Sequence, residues 1–442
     1  MGYTKEEIIN IIEEEDVEFI RLQFTDMFGV LKNVAVTAGQ IDKVLANKCM
    51  FDGSLIDGFA RVEESDMYLC PDLDTFTIFP WRPQTGKVAR FICDIRRTNG
   101  NEFEGDSRYI LKKAIKDAKD MGYDFLASPE CEFFLFHTDD NGNPTTVTHE
   151  KAGYFDIGPV DMGENARRDI VLNLESMGFE VMESHHEVAP GQHEIDFRHS
   201  DALSTADNIM TFKLAVKSVA KRHGLHATFM PKPKSGVNGS GMHLNMALFK
   251  DGKNAFTDEN DKKGLSEDAY HFIAGVMKHI KGMTVITNPL INSYKRLVPG
   301  YEAPIYIAWS TISRSPLIRI SDIKGEETKI EIRCPDPAAN PYLTLAVIME
   351  AGLDGIKNKL EAPESIEENI FEMSRDEMEN LGIEVLPDTL NEAIRCFNED
   401  EFVQNVLGTH ISKNYIKSKK NEWEQYRTQV TDWEIEQYLH KF

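Results

Sequence analysis

Basic charge is scarce in this 442-residue chain: 49 lysines and arginines stand against 73 aspartates and glutamates, a formal net charge of −24. A broad nucleic-acid surface needs clustered Lys and Arg, so no nucleic-acid partner is expected. The six cysteines, Cys49, Cys70, Cys93, Cys131, Cys334 and Cys396, form no CxxC pair. Neither a zinc site nor a disulfide framework is therefore indicated. Long apolar runs are lacking too. The stretch LTLAVIMEAGL from Leu343 is short and interrupted, so no membrane role is expected. The opening residues MGYTKEEIINIIEEED are acidic and amphipathic, unlike a secretory leader, and the expected location is the cytoplasm. The chain has no Walker loop, no GxGxxG and no HExxH, which argues against a P-loop, a Rossmann turn and a zinc protease.

A chain this long exceeds one ordinary core and predicts at least two domains. Residues 4–15 read as a short amphipathic helix, and VEFIRLQFTDMFGVLKNVAVT as a β-hairpin around the Asp26–Gly29 turn. TFTIFPW and KVARFICDI add strands, making the first hundred residues a small, mostly β domain. Asp106 or Ser107 then caps a helix through YILKKAIKDAKDMG. The boundary falls near 100–106, so the expected domains are 1–104 and 105–442. Beyond it helices alternate with strands, such as DFLASPECEFFLF, HEIDFRH and GMHLNMALF. The expected class is α+β. The long segment DDNGNPTTVTHEKAGYFDIGPVDMG reads as structureless, which in a globular chain points to function.

Glu130 and Glu132 sit two apart on a predicted strand, so both carboxylates project from one face and repel unless a cation lies between them. Glu187 and Glu194 bracket the Pro190–Gly191 turn, where two short strands bring them back to back. With His243 and Glu331 they make a hard, oxygen-rich donor set suited to Mg²⁺ or Mn²⁺. Against the acidic background Arg296, Arg314, Arg319 and Arg333 form a basic set fit for carboxylate or phosphate. Divalent cations together with guanidinium groups are what phosphoryl transfer requires. NSYKRLVPGYEAP reads as a loop and a candidate lid carrying Glu302, and SGVNGSGMH is a glycine loop beside His243.

The segments FDGSLIDGF, ECEFFLF, HHEVAPGQHEIDF, GSGMHLN, NSYKRLVPGYEAP, SRSPLIRI and EIRCPDPAANPYL, in this order, resemble type I glutamine synthetase over nearly the whole chain. The resemblance implies a β-grasp-like N-terminal domain, a catalytic α/β domain, and ATP-driven ligation of ammonium to L-glutamate with two or more Mg²⁺ or Mn²⁺ ions per site. It implies one metal on Glu132, Glu187 and Glu194, and a second on Glu130, His243 and Glu331. Asn238, Gly239, Arg296 and Arg333 match residues that hold glutamate. Arg314 and Arg319 match arginines near the nucleotide phosphates, and Asn245 and Ala247 match nucleotide contacts. Ala247 stands where many relatives have Ser. Glu302 matches the flap carboxylate, and Asp52 the ammonium-binding aspartate, which reaches the site from an adjacent subunit. Arg314 also counts with Asp52 and Glu302 among the matched catalytic residues.

The resemblance further implies a homododecamer of two hexameric rings. The region where one subtype carries an adenylylated tyrosine reads IFEMSRDE, without tyrosine. GFARVEESDMY matches the other subtype, in which the arginine at Arg61 mediates feedback by glutamine. Small regulatory proteins act on some relatives and are candidate partners. The nearest rivals are a ligase of the same fold for a polyamine or other amine, and a non-catalytic relative. The retained Asp52 and Glu302 favour ammonia, and the filled metal and arginine positions favour catalysis.

Overall fold

Alternation of apolar and polar residues dictates the first sheet. Val17–Thr25 (β1) and Leu31–Thr37 (β2) pair antiparallel as the expected hairpin. Oδ1 of Asp26 closes its turn by accepting the amides of Phe28 at 3.0 Å and Val30 at 2.9 Å. The computed structural model describes residues 2–59, 65–82, 84–148, 150–320 and 325–442. Among them Cys49–Asp52 (β3), Asp66–Ile78 (β4) and Lys87–Arg97 (β5) complete a five-stranded sheet in the order β2-β1-β5-β4-β3, with β1 and β5 parallel at its centre. Ile20, Leu22 and Phe24 of β1 pack with Phe91 and Ile95 of β5 and with Ile8 and Ile12 of the helix Lys5–Glu14.

Asp106 caps the next helix, Ser107–Asp120, accepting from the Arg108 amide at 3.0 Å. Its other oxygen accepts from Ile95 of β5, also at 3.0 Å, tying the helix to the small sheet. Arg108 is buried and contacts Asp72 of β4 at 2.7 Å, Asp94 of β5 at 2.6 Å, and Asp207 of the helix Ala202–Arg222 at 2.8 Å. One cation thus joins the small sheet to the helical layer behind the larger one.

The larger sheet is built from Asp124–His137 (β6), Val181–His186 (β7), Gln192–Phe197 (β8), Ser200–Asp201 (β9), Leu225–Thr228 (β10), Met242–Lys250 (β11), Lys253–Asn254 (β12), Tyr306–Ser310 (β13), Pro316–Ile320 (β14), Ile330–Ile332 (β15) and Glu384–Val385 (β16). Its main path among the described residues runs β16-β13-β14-β15-β11-β6-β8-β7. On β6, Cys131, Phe133 and Leu135 enter the core that the helices Ala202–Arg222, Glu267–Thr287 and Pro341–Asn358 also fill. Glu130 and Glu132 take the opposite face of the pleat. Most of the long segment after β6 carries no helix or strand, as expected.

One expectation needs correction. Ser293–Arg296, read as part of a loop, forms a helical turn in which Ser293 Oγ accepts from Leu290 N at 3.1 Å. Arg296 is thereby seated on ordered backbone, and the irregular segment begins after it. No helix among the described residues is long and apolar enough to cross a membrane.

Candidate active site

Register places the chemistry. In the large sheet His243 on β11 lies opposite Glu130 on β6, and Glu132 opposite Glu194 on β8. Arg319 on β14 faces Glu331 on β15, and His185 on β7 faces Glu194. Cross-strand partners share a face, so these four pairs lay carboxylates, imidazoles and guanidiniums in one row. The row floors a cavity of about 660 Å³.

Three groups of donors gather there with their ligating atoms within 4.8 Å of one another: Glu130, His243 and Glu331; His185, Glu187 and Glu194; and Glu183, His185 and Asp196. In the first, His243 Nδ1 lies 3.2 Å from Glu130 Oε2 and 3.6 Å from Glu331 Oε1. In the second, the two His185 nitrogens lie 3.7 Å from Glu187 Oε1 and 3.6 Å from Glu194 Oε2. Glu132 sits beside this second group, its Oε2 accepting from Gln192 Nε2 at 2.7 Å and from the Gly241 amide at 2.9 Å.

The electrostatics call for cations. Burial, with the neighbouring carboxylates Asp196 and Glu132, pushes Glu194 well above the usual carboxylate range. Asp196 is pushed up likewise by burial and by Glu130, and its Oδ1 is a buried oxygen without a hydrogen-bond partner. Burial raises Glu132 as well. Glu130 differs: burial opposes its ionisation, but the hydrogen bond and charge of His243, with Asn245, hold it at about 2. Crowded carboxylates beside imidazole fit hard divalent cations, which would relieve this repulsion.

Basic groups lie directly beside these donors. Glu331 accepts from Arg319 Nη1 at 3.0 Å and from Arg333 Nη1 at 2.6 Å. Arg296 is buried on backbone carbonyls, donating to Cys334 O at 2.8 Å, and Arg314 is exposed at the rim. Glu302, at a positive φ of 59°, accepts from Asn238 Nδ2 at 2.9 Å, and both line the cavity. Gly239 lines it too, and a Cβ there would collide with the Pro231 carbonyl oxygen.

All six expected metal ligands and the expected glutamate-binding residues therefore line one cavity. Asn245 and Ala247 line a neighbouring cavity of about 190 Å³, linked to the first where Asn245 Nδ2 donates to Glu130 Oε1 at 2.8 Å. Asp52 lies outside both, exposed at the end of β3. Arg61 lies outside the described residues. Sequence reasoning missed Glu183, His185, Gln192 and Asp196, which also line the main cavity. The signal was the same period of two: Glu183 and His185 alternate along β7, and Gln192, Glu194 and Asp196 along β8.

Residues 104–438 match the glutamine synthetase catalytic domain, and residues 16–98 the glutamine synthetase beta-grasp domain. A glutamine synthetase from Clostridium saccharobutylicum is 63% identical over 440 residues, covering 100% of this chain and 99% of that protein. One from Staphylococcus aureus is 58% identical over 441 residues, with the same coverage. A solved apo structure of GmaS is similar at a TM-score of 0.88 and 31% identity, covering 98% of this chain and 99% of that one. The β-grasp and catalytic halves expected from the motifs are both matched, and the chain belongs to the glutamine synthetase family.

Proposed function

We propose that the cavity is the centre where this glutamate–ammonia ligase activates the side-chain carboxylate of L-glutamate with ATP and replaces the activating phosphate with ammonia. The observation that carries the reading is the make-up of the cavity: clusters of carboxylates and imidazoles with four arginines set among and beside them, Arg319 and Arg333 directly on Glu331. Glu132, Glu187 and Glu194 would hold one divalent ion, and Glu130, His243 and Glu331 a second, with Mg²⁺ or Mn²⁺ the ions this oxygen-rich set favours. Such ions neutralise phosphate oxygens and help align them.

The chain's own groups do the rest. Arg296 and Arg333, with Asn238 and Gly239, orient glutamate. Arg314 and Arg319 offset charge on the phosphates as a γ-carboxylate oxygen attacks the terminal phosphorus and ADP leaves. Asn245 and Ala247 border the nucleotide. Water would destroy the resulting acyl phosphate, so the Glu302 segment closes over it. Ammonium gives a proton to the carboxylate pair of Glu302 and Asp52. The freed ammonia attacks the acyl carbon, and phosphate departs.

Asp52 serves the cavity of an adjacent copy. Its position outside this chain's own cavity supports that arrangement, with the homododecamer as the assembly. The same reading takes 1–104 and 105–442 as the domains, Arg61 as the glutamine-feedback residue and the cytoplasm as the location. The test is trapping: ATP, glutamate and hydroxylamine should yield γ-glutamyl hydroxamate in amounts matching ADP. ADP formation without hydroxamate would refute the acyl phosphate.

A further inference from the structure

Behind the cavity lies a second group of ionisable residues, all buried: Glu150, Asp161, His186 and His193. It is not a metal site, because a guanidinium already supplies its cation. Arg167 Nη1 lies 2.7 Å from Asp161 Oδ2 and 2.8 Å from His193 Nδ1. The pair Glu150–His186 has a different geometry, tied to the backbone of the β7–β8 turn.

Glu150 belongs to the long irregular segment after β6, and its carboxylate binds three places at once. Oε1 lies 2.7 Å from His186 Nε2 and also accepts the Gly191 amide. Oε2 accepts the Met162 amide at 3.0 Å. His186 Nδ1 faces the backbone oxygen of Glu187 at 2.6 Å. Both ring nitrogens face oxygen atoms, so the ring is held at both ends. Because His186 is fully buried, its ring cannot swing away without breaking both bonds. The Glu187 amide donates in turn to Gln192 O at 2.8 Å. The β7–β8 turn is thereby gripped at its start, through His186, and at Gly191, next to the residue that donates to Glu132.

We propose that Glu150 and His186 are a positioning pair that sets the backbone of Glu187 and the turn to Gln192, and so fixes the spacing of Glu187 and Glu132 for a divalent cation. The long segment is then a strap whose function is to deliver Glu150. Neither residue touches substrate; both act through the carboxylates in front of them. This rests on the cavity being the metal centre. Partners behind ligating residues affect metal affinity by about 10- to 100-fold.

The test is Mn²⁺ binding to the assembled enzyme without substrates, read as free Mn²⁺ by electron paramagnetic resonance. The parent, Glu187→Gln, His186→Phe, His186→Asn and Glu150→Gln are compared. Glu187→Gln should lose the tight class of sites. His186→Phe and Glu150→Gln should weaken it by about tenfold. His186→Asn, which keeps a donor towards the Glu187 carbonyl, should recover part of the loss. In turnover, KM for metal should rise by more than kcat falls. Isotherms for His186→Phe and Glu150→Gln that overlay the parent would overturn the positioning role. If His186→Phe does not assemble, Glu150→Gln decides, since it preserves the side-chain volume. Absence of any tight Mn²⁺ class in the parent would instead sink the metal-centre reading, and this one with it.

Discussion

Gln192 places its amide nitrogen 2.7 Å from Oε2 of Glu132. Glu132 is buried, and burial disfavours its charged form, so each donor that meets it matters. Replacing Gln192 with Leu removes one donor and leaves a buried carboxylate less satisfied, at a cost of about 1–3 kcal/mol. The expected result is a rise of about tenfold or more in KM for the divalent ion, measured by metal titration of phosphate release. An unchanged metal requirement would show that Gln192 does not set Glu132.

Glu331 stands between two guanidiniums, Arg319 at 3.0 Å and Arg333 at 2.6 Å, and its side chain is almost fully buried. Glu331→Ala strands the buried Arg333, a loss of about 3–5 kcal/mol for breaking a buried pair. Glu331→Gln keeps the volume and one acceptor. Differential scanning fluorimetry should show a clear fall in melting temperature for the alanine variant and a smaller one for the glutamine variant. Ligase activity should collapse in both.

Asp52 is exposed, and its Oδ1 accepts from the Ser54 hydroxyl at 2.7 Å and amide at 2.9 Å. These bonds, the hydroxyl foremost, hold its carboxyl below the usual range, ready to meet a cation. A site shared between copies makes a specific prediction. Asp52→Ala and Glu331→Gln should each be inactive alone, whereas mixed oligomers should regain about a quarter of parental activity, because random mixing leaves that share of sites with both residues intact. No recovery on co-expression would place Asp52 outside the neighbour's site.

Glu350, on the helix Pro341–Asn358, is pushed up to about 7 by burial and by the Asp117 carboxylate beside it. An acid raised in the folded state holds its proton there while the unfolded chain, at about 4.5, has released it. Stability from this group therefore falls as pH rises between those values and stays lowered above about 7. Glu350→Gln should raise the melting temperature at pH 8 and leave it nearly unchanged at pH 4.5. Equal shifts at both pH values would contradict the raised acidity.

What could be read from the chain beforehand was mostly local. Alternation on β6 exposed Glu130 and Glu132 as a same-face pair, and Asp26 and Asp106 marked a turn and a cap by their own backbone bonds. His185 follows the same alternation on β7. Around the Pro190–Gly191 turn only Glu187 and Glu194 read as a pair, and the imidazole at His185 shows as a neighbour only once β7 pairs with β8. Strand order is different in kind. β11 lies between β6 and β15, strands far from it in sequence, and no local pattern encodes that neighbour choice. Arg108 likewise reads as an ordinary helix cation until three aspartates from distant elements converge on it. The helical turn at Ser293–Arg296 is too short to show a period.

Joining ammonia to glutamate is the reaction proposed for the cavity. It is tested most directly by phosphate release from ATP with Mg²⁺ and glutamate, with ammonium or putrescine as the amine. Release that depends on ammonium, with glutamine formed in equal amount, is the predicted result. Release that depends on putrescine but not ammonium, or no release with either, would contradict it.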